Sequence, residues 1–160
     1  MSSQVAPLLV FGWGNPSRGD DALGPLLVEQ LASHAQAHWP TGRLECLTDF
    51  QLQVEHALDL VGRERVLFVD AAIGLQTPFE VRTVRPAPVA GFTTHALGPE
   101  ALLQVYRDLE RAEPPTCTLL AIRAQRFELG EAPGEQALAD LALALAWAME
   151  WARHPEEVPA

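Results

Sequence analysis

Three places in the chain carry side chains with metal-ligand or acid–base chemistry. The first is the acidic pair Asp20-Asp21, closing the loop Gly12-Trp13-Gly14-Asn15-Pro16-Ser17-Arg18-Gly19. The second is Asp70, directly after the apolar run Val66 to Val69. The third is His95, within Thr93-Thr94-His95-Ala96-Leu97-Gly98. Each has a bland reading. An acidic pair at a helix start caps the helix and complements its dipole. An acid ending a strand accepts hydrogen bonds from the next turn, and a lone loop histidine is usually a surface group. One aspartate suffices as a cap, however, which leaves its neighbour free to face a crevice. A carboxylate after four apolar residues is expected to be partly buried and then needs a donor, a cation or a metal. Two carboxylates and one imidazole form a hard-to-borderline ligand set for a divalent transition metal, with positions left open for another molecule's ligands. Only a fold can bring them together.

The elements that must do so alternate, strand then helix. Pro7 to Gly12 reads as a buried strand, followed by a Gly/Asn/Pro loop and a helix over Asp21 to Ala37 with Leu23, Leu26, Leu27 and Leu31 at helical spacing. Pro25 falls in its first turns, where proline is tolerated. Leu44 to Thr48 reads as a second strand. Gln51 to Val61 reads as a helix with Val54, Leu58 and Val61 on its apolar face. Val66 to Val69 is the central strand, with Asp70 at its end, and Phe79 to Val84 alternates like a half-exposed edge strand. A loop over Pro86 to Gly98 leads to a helix over Pro99 to Leu109, with proline at a favoured first position. Thr118 to Ile122 is another buried strand, and Gln136 to Trp151 a helix apolar on most faces, expected to be largely covered. This pattern predicts one α/β domain over 1–152 with a tail at 153–160: a mainly parallel sheet with helices on both faces, in three layers. Ligands in such sheets bind beyond the carboxyl ends of the strands, which singles out the first loop and Asp70.

Composition removes whole classes of function. The 160 residues are 48% apolar and 20% charged, ordinary for a globular domain. Eleven basic residues against 21 acidic give a net charge of −10, which opposes nucleic acid and anionic membranes as partners. All the basic residues are arginine; without lysine there is no Schiff base, Walker-type loop or Ser–Lys dyad. Cys46 and Cys117 form no C-x-x-C. The four serines (Ser2, Ser3, Ser17, Ser33) lie in no G-x-S-x-G elbow, and no H-E-x-x-H is present. A hydrolytic enzyme of this composition would have to activate water through a metal or a carboxylate base. No export signal or membrane-length apolar run is read, so a cytoplasmic location is expected.

Val10 to Gly24 (VFGWGNPSRGDDALG), Val69-Asp70-Ala71 and Thr94-His95-Ala96-Leu97-Gly98, in this order, resemble the endopeptidases that mature nickel–iron hydrogenases. The opening signature G-x-G-N, four residues, an acidic pair and a nearby glycine is met by Gly12, Gly14, Asn15, Asp20, Asp21 and Gly24. The resemblance implies a five-stranded twisted sheet between helices and a nickel-recognising site of Asp21, Asp70 and His95, with Asp20 a spare carboxylate for water activation. It further implies substrate contacts at Gly12, Gly14, Asn15 and Gln51. The implied partner is the nickel-loaded precursor of a hydrogenase large subunit, whose C-terminal extension is removed, and the nickel comes with that substrate; no organic cofactor is expected. Many such enzymes carry a glycine-rich turn after the second strand. Here Asp49-Phe50-Gln51-Leu52-Gln53 resembles instead the branch acting on soluble NAD-linked hydrogenases.

Other candidates read blandly. His34 and His38 sit at a helix C-terminus, where histidine complements the dipole. His56 reads as helix surface and Trp147 and Trp151 as core. Arg18 and Arg82 are candidates for steering a substrate carboxylate. Three rival functions remain. A peptidyl-tRNA hydrolase shares G-x-G-N-P but needs a basic face. A nucleotide-binding oxidoreductase is disfavoured by acids where pyrophosphate would sit. A non-catalytic chaperone would hold the precursor without shortening it.

Overall fold

Leu8 to Trp13 form strand β1, and all six residues are buried. A strand covered on both faces requires such an unbroken apolar run. The structure, a computed structural model, describes residues 5–88 and 97–153. Strands β2 (Leu44–Asp49) and β3 (Arg65–Ile73) pair with β1 in parallel on either side. Strand β5 (Thr116–Ala124) runs parallel to β3, and β4 (Phe79–Val84) closes that edge antiparallel. The result is the expected five-stranded, mainly parallel sheet, in the order β2-β1-β3-β5-β4. The chain leaves β1 toward β2 and returns to β3 on the other side, so the order reverses between β1 and β3. Ligand crevices open at such a switch point.

Alternation along the strands builds two cores. Leu8, Val10, Leu67, Val69, Leu120 and Ile122 face helices α1 (Leu23–His38) and α3 (Glu135–Arg153). Leu9, Phe11, Trp13, Val66, Phe68 and Leu119 face helix α2 (Pro99–Glu110) and the 3₁₀ segment Val54–Leu60. Period-two geometry sends Asp70 to the same face as Phe68 and Val66. At the opposite pole, Arg65 and Arg43 donate to the Trp151 and Ala152 carbonyls and hold the end of α3. Among the described residues no helix is long and apolar enough to cross a membrane.

Four expectations change. Strand β3 does not stop at Val69 but runs to Ile73, because β5 continues to pair with it after β1 has ended at Gly12↔Val69. Asp70 therefore lies within β3, where its β1 neighbour drops away. The first helix opens as a separate 3₁₀ turn, Gly19–Ala22, and neither Asp20 nor Asp21 caps it. The segment expected as a helix from Gln51 is a 3₁₀ turn in which His56, Ala57 and Leu60 are buried, while Val54, Leu58 and Val61 face water. Three residues per turn align Ala57 with Leu60, whereas the expected stripe assumed 3.6. Helix α3 buries one stripe, Ala137, Leu141, Ala144, Ala148 and Trp151, and leaves Leu138 and Leu143 exposed. Its alanines maintain the helix without requiring cover on every face.

Candidate active site

Backbone proximity, not side-chain chemistry, sets the frame of the crevice. A Cβ on Gly12 would lie 2.6 Å from the Gly24 carbonyl oxygen, and one on Gly24 would lie 2.6 Å from the Trp13 oxygen. At Gly14, with φ +150°, a Cβ would come within 2.0 Å of the Asp21 oxygen. The glycines thus let the end of β1 lie against the turn that carries the acidic pair. Gly12 and Gly14 are buried. Asn15 is half-buried; its N–H donates to Asp21 Oδ2 at 2.8 Å, and its Oδ1 accepts from the Ser17 N–H at 2.9 Å. Gln51 is exposed.

The adjacent acids diverge. Asp20 is only 3% exposed. Its Oδ2 accepts the N–H groups of Gln125 and Arg126 at 2.7 and 3.3 Å, and its Oδ1 that of Gly134 at 2.9 Å. It ties the first loop to the segment between β5 and α3. This placement does not suit the expected spare base, since each oxygen is already engaged away from the crevice. Asp21 is half-buried and oriented by Asn15.

Asp70 is half-buried, and its Oδ1 accepts the Ala71 N–H at 2.8 Å. Burial, reinforced by the negative charge of Asp21, pushes its carboxyl up to about 7, while hydrogen bonds from Ala71 and the Trp13 side chain pull it down. The Trp13 indole, a donor only, lies near enough to Asp70 to favour its charged form. Two carboxylates therefore interact across the β1/β3 switch point, and a cation would stabilise both. His95 lies outside the described residues. Among those described, no group of three or more His, Cys, Asp or Glu forms a metal cluster.

Trp13 was not singled out from the sequence. The signal available was a large aromatic between two glycines, at the end of a strand. It packs edge-to-face on Phe68, with centroids 5.8 Å apart.

The remaining candidates separate from this crevice. The His34 and His38 rings lie 4.6 Å apart at the end of α1, beside Trp39. Arg82 pairs with Glu100 at 2.5 Å, and Arg18 donates to the Phe127 carbonyl at 3.4 Å. Trp151 is core, as expected, and Trp147 is partly buried against it. Burial, with the Glu45 charge, pushes the Cys46 thiol up to about 11, and burial alone pushes Cys117 to about 12. Neither is a thiolate nucleophile at neutral pH. His56, expected at the surface, is buried against Asp49 and Phe11.

The fold and crevice define an α/β domain with an acid pair at its switch point, and solved structures share that architecture. The hydrogenase maturating endopeptidase HybD from E. coli superposes with a TM-score of 0.75 at 21% identity, covering 93% of each chain. The [NiFe] hydrogenase maturation protease HycI from Thermococcus kodakarensis KOD1 gives 0.70 at 20% identity, over 92% of this chain and 93% of that one. A hydrogenase 3 maturation protease gives 0.62 at 21%, over 93% of each. No protein-family model and no curated protein sequence matches the chain. At these identities the likeness establishes the fold.

Proposed function

We propose that the chain is an endopeptidase that removes the C-terminal extension of a nickel–iron hydrogenase large subunit after nickel insertion. The observation that carries this reading is the Asp21–Asp70 pair at the switch point, with the Asp70 carboxyl raised to about 7 by burial and by its acidic neighbour. Support also comes from the shared fold of the maturation proteases and from the position of the G-x-G-N loop against Asp21.

In this reading the metal arrives with the substrate. Asp21 and Asp70 offer hard oxygen donors and His95 an imidazole, completing the coordination of a nickel ion held by the precursor. Ligation requires the deprotonated carboxylate, so docking expels the Asp70 proton. The ion thus serves as a check that nickel is loaded, and its position fixes the scissile bond. The chain brings no activated serine or thiol, so water is the attacking group. It is assisted by the substrate's ion as Lewis acid or by one of the two crevice carboxylates. Asp20 supports the loop.

The test is incubation with nickel-loaded and nickel-free precursor followed by intact-mass measurement. Loss of a C-terminal peptide from the loaded form alone is expected. Equal cutting of both forms, or stable binding without cutting, overturns the reading; the second outcome is that of a chaperone.

A further inference from the structure

Beside the carboxylate crevice lies an acid–imidazole pair that the proposed reaction does not use. Asp49 ends β2, and His56 lies in the 3₁₀ segment that follows. His56 Nε2 is 3.1 Å from Asp49 Oδ2, and its Nδ1 accepts the Gln53 N–H at 2.8 Å. Asp49 Oδ1 accepts the Phe50 N–H at 2.7 Å. A backbone N–H directed at Nδ1 requires that nitrogen to be bare, so the ring hydrogen sits on Nε2 and points at Asp49. Both ring nitrogens are then engaged, and no lone pair is left to act on a substrate.

The surroundings of the pair give it a different task. The His56 ring stands edge-to-face on Phe11, with centroids 4.5 Å apart at 68°. Phe11 adjoins Trp13 at 6.3 Å, and Trp13 rests on Phe68 at 5.8 Å. By the backbone, Asp49 is the register partner of Trp13, and its carbonyl accepts the Gly14 N–H at 3.1 Å. Ring stack and backbone ladder both end at Trp13-Gly14. That dipeptide borders both crevice acids: the Trp13 side chain favours the charged form of Asp70, and Gly14 lies against the Asp21 backbone oxygen.

We propose that His56 is a positioning residue. Locked between Asp49 and Gln53, it fixes the end of β2 and the Phe11–Trp13 stack, and thereby the place of the Trp13 indole at the edge of the crevice. Groups that orient metal-binding ligands in this indirect way are commonly worth 10–100-fold in activity.

The polarity of the two hydrogen bonds supplies the test. His56→Gln replaces the imidazole with one acceptor and one donor at similar spacing, so both bonds survive. His56→Glu keeps the acceptor toward Gln53, the usual capping-box arrangement, but sets a carboxylate against Asp49. Asp49→Asn places a donor opposite the Nε2–H. The double variant Asp49→Asn/His56→Glu restores the bond with its direction reversed. Two readouts follow each protein: the indole N–H resonance of Trp13, assigned among the four tryptophans with Trp13→Phe, and the single-turnover cleavage rate of nickel-loaded precursor.

His56→Gln, which keeps both hydrogen bonds but loses the ring against Phe11, is expected to stay closer to wild type in both than either disrupting variant. The two disrupting single variants should shift the indole resonance and slow cleavage about 10–100-fold, and the double variant should return both toward wild type. An indole resonance unmoved in folded Asp49→Asn overturns the proposal, as does a double variant no better than its parents. A purely packing role for His56 would lower the melting temperature and leave the indole resonance in place. The cleavage readout rests on the peptidase reading, and the indole readout does not. If wild type leaves the precursor intact while the resonance follows the variants, it is the peptidase reading that fails.

Discussion

Asp20 and Asp70 are both acids in or near the interior, and their surroundings could hardly differ more. Asp20 receives three backbone N–H groups from the segment before α3 and serves as a structural anchor. Asp70 receives one backbone N–H and lies near a second acid, and burial pushes its carboxyl up to about 7. A buried carboxylate matched by donors is stable as it stands. One short of donors and set beside its own kind is costly, and such costs gather where a ligand is to bind. The contrast separates the part of the first loop that builds the molecule from the part that, in the proposed reaction, meets the substrate. It assigns consecutive residues, Asp20 and Asp21, to opposite sides of that division.

The largest effects should come from the crevice. Asp21→Ala or Asp70→Asn should slow processing of loaded precursor by about 10³-fold or more, as loss of a preorganised charge contact does, while thermal unfolding stays cooperative. Activity with normal kinetics in either variant would break the comparison. Asp20→Ala should act on stability instead. Leaving three partly buried N–H groups without their acceptor should cost about 1–3 kcal/mol in urea unfolding, with the remaining folded fraction still active.

Asp70 also sets a pH dependence with a definite sign. Its folded carboxyl lies above the unfolded 3.8, so the native state holds the extra proton between about 4 and 7. Stability is fully present below 3.8 and falls as pH rises to about 7, where the acid ionises. The full displacement would be worth on the order of 4 kcal/mol, and partial access to water reduces it to about 2 kcal/mol. Asp70→Asn should therefore be more stable than wild type at pH 8 by about that amount, as denaturant titrations across the range would show. Activity runs the other way and falls as pH drops below about 7, because the protonated acid no longer ligates.

The smallest effect tests the 3₁₀ segment. Leu58→Ser, at 63% exposure, should change stability by less than about 0.5 kcal/mol. Leu60→Ala, at 1%, should cost about 2–5 kcal/mol. Equal effects would restore the helical reading of that segment.

Much of this architecture was legible in the chain. Unbroken apolar runs marked β1, β3 and β5, and the rule for parallel sheets led from those strands to the first loop and Asp70, while the family resemblance picked Asp21 within that loop. What escaped depended on partners distant in sequence. Asp20 reads as a cap because its donors, Gln125, Arg126 and Gly134, lie more than 100 residues away. His56 reads as surface because its polarity outweighs a burial that only the Phe11 face and the Asp49 carboxylate create. The Val54–Leu58–Val61 stripe failed for a local reason: its period belongs to an α-helix, and a 3₁₀ turn buries other positions. Alanine misled in α3, since an apolar residue with high helix propensity says little about cover.

The central claim is that Asp21 and Asp70 act as one unit toward the substrate's cation. A double-mutant cycle in single-turnover cleavage of nickel-loaded precursor, using Asp21→Asn, Asp70→Asn and the pair, tests it most directly. If the acids share one ion, the double variant should be scarcely slower than either single variant. Losses that multiply would mean that the two carboxylates act independently, and would contradict the account.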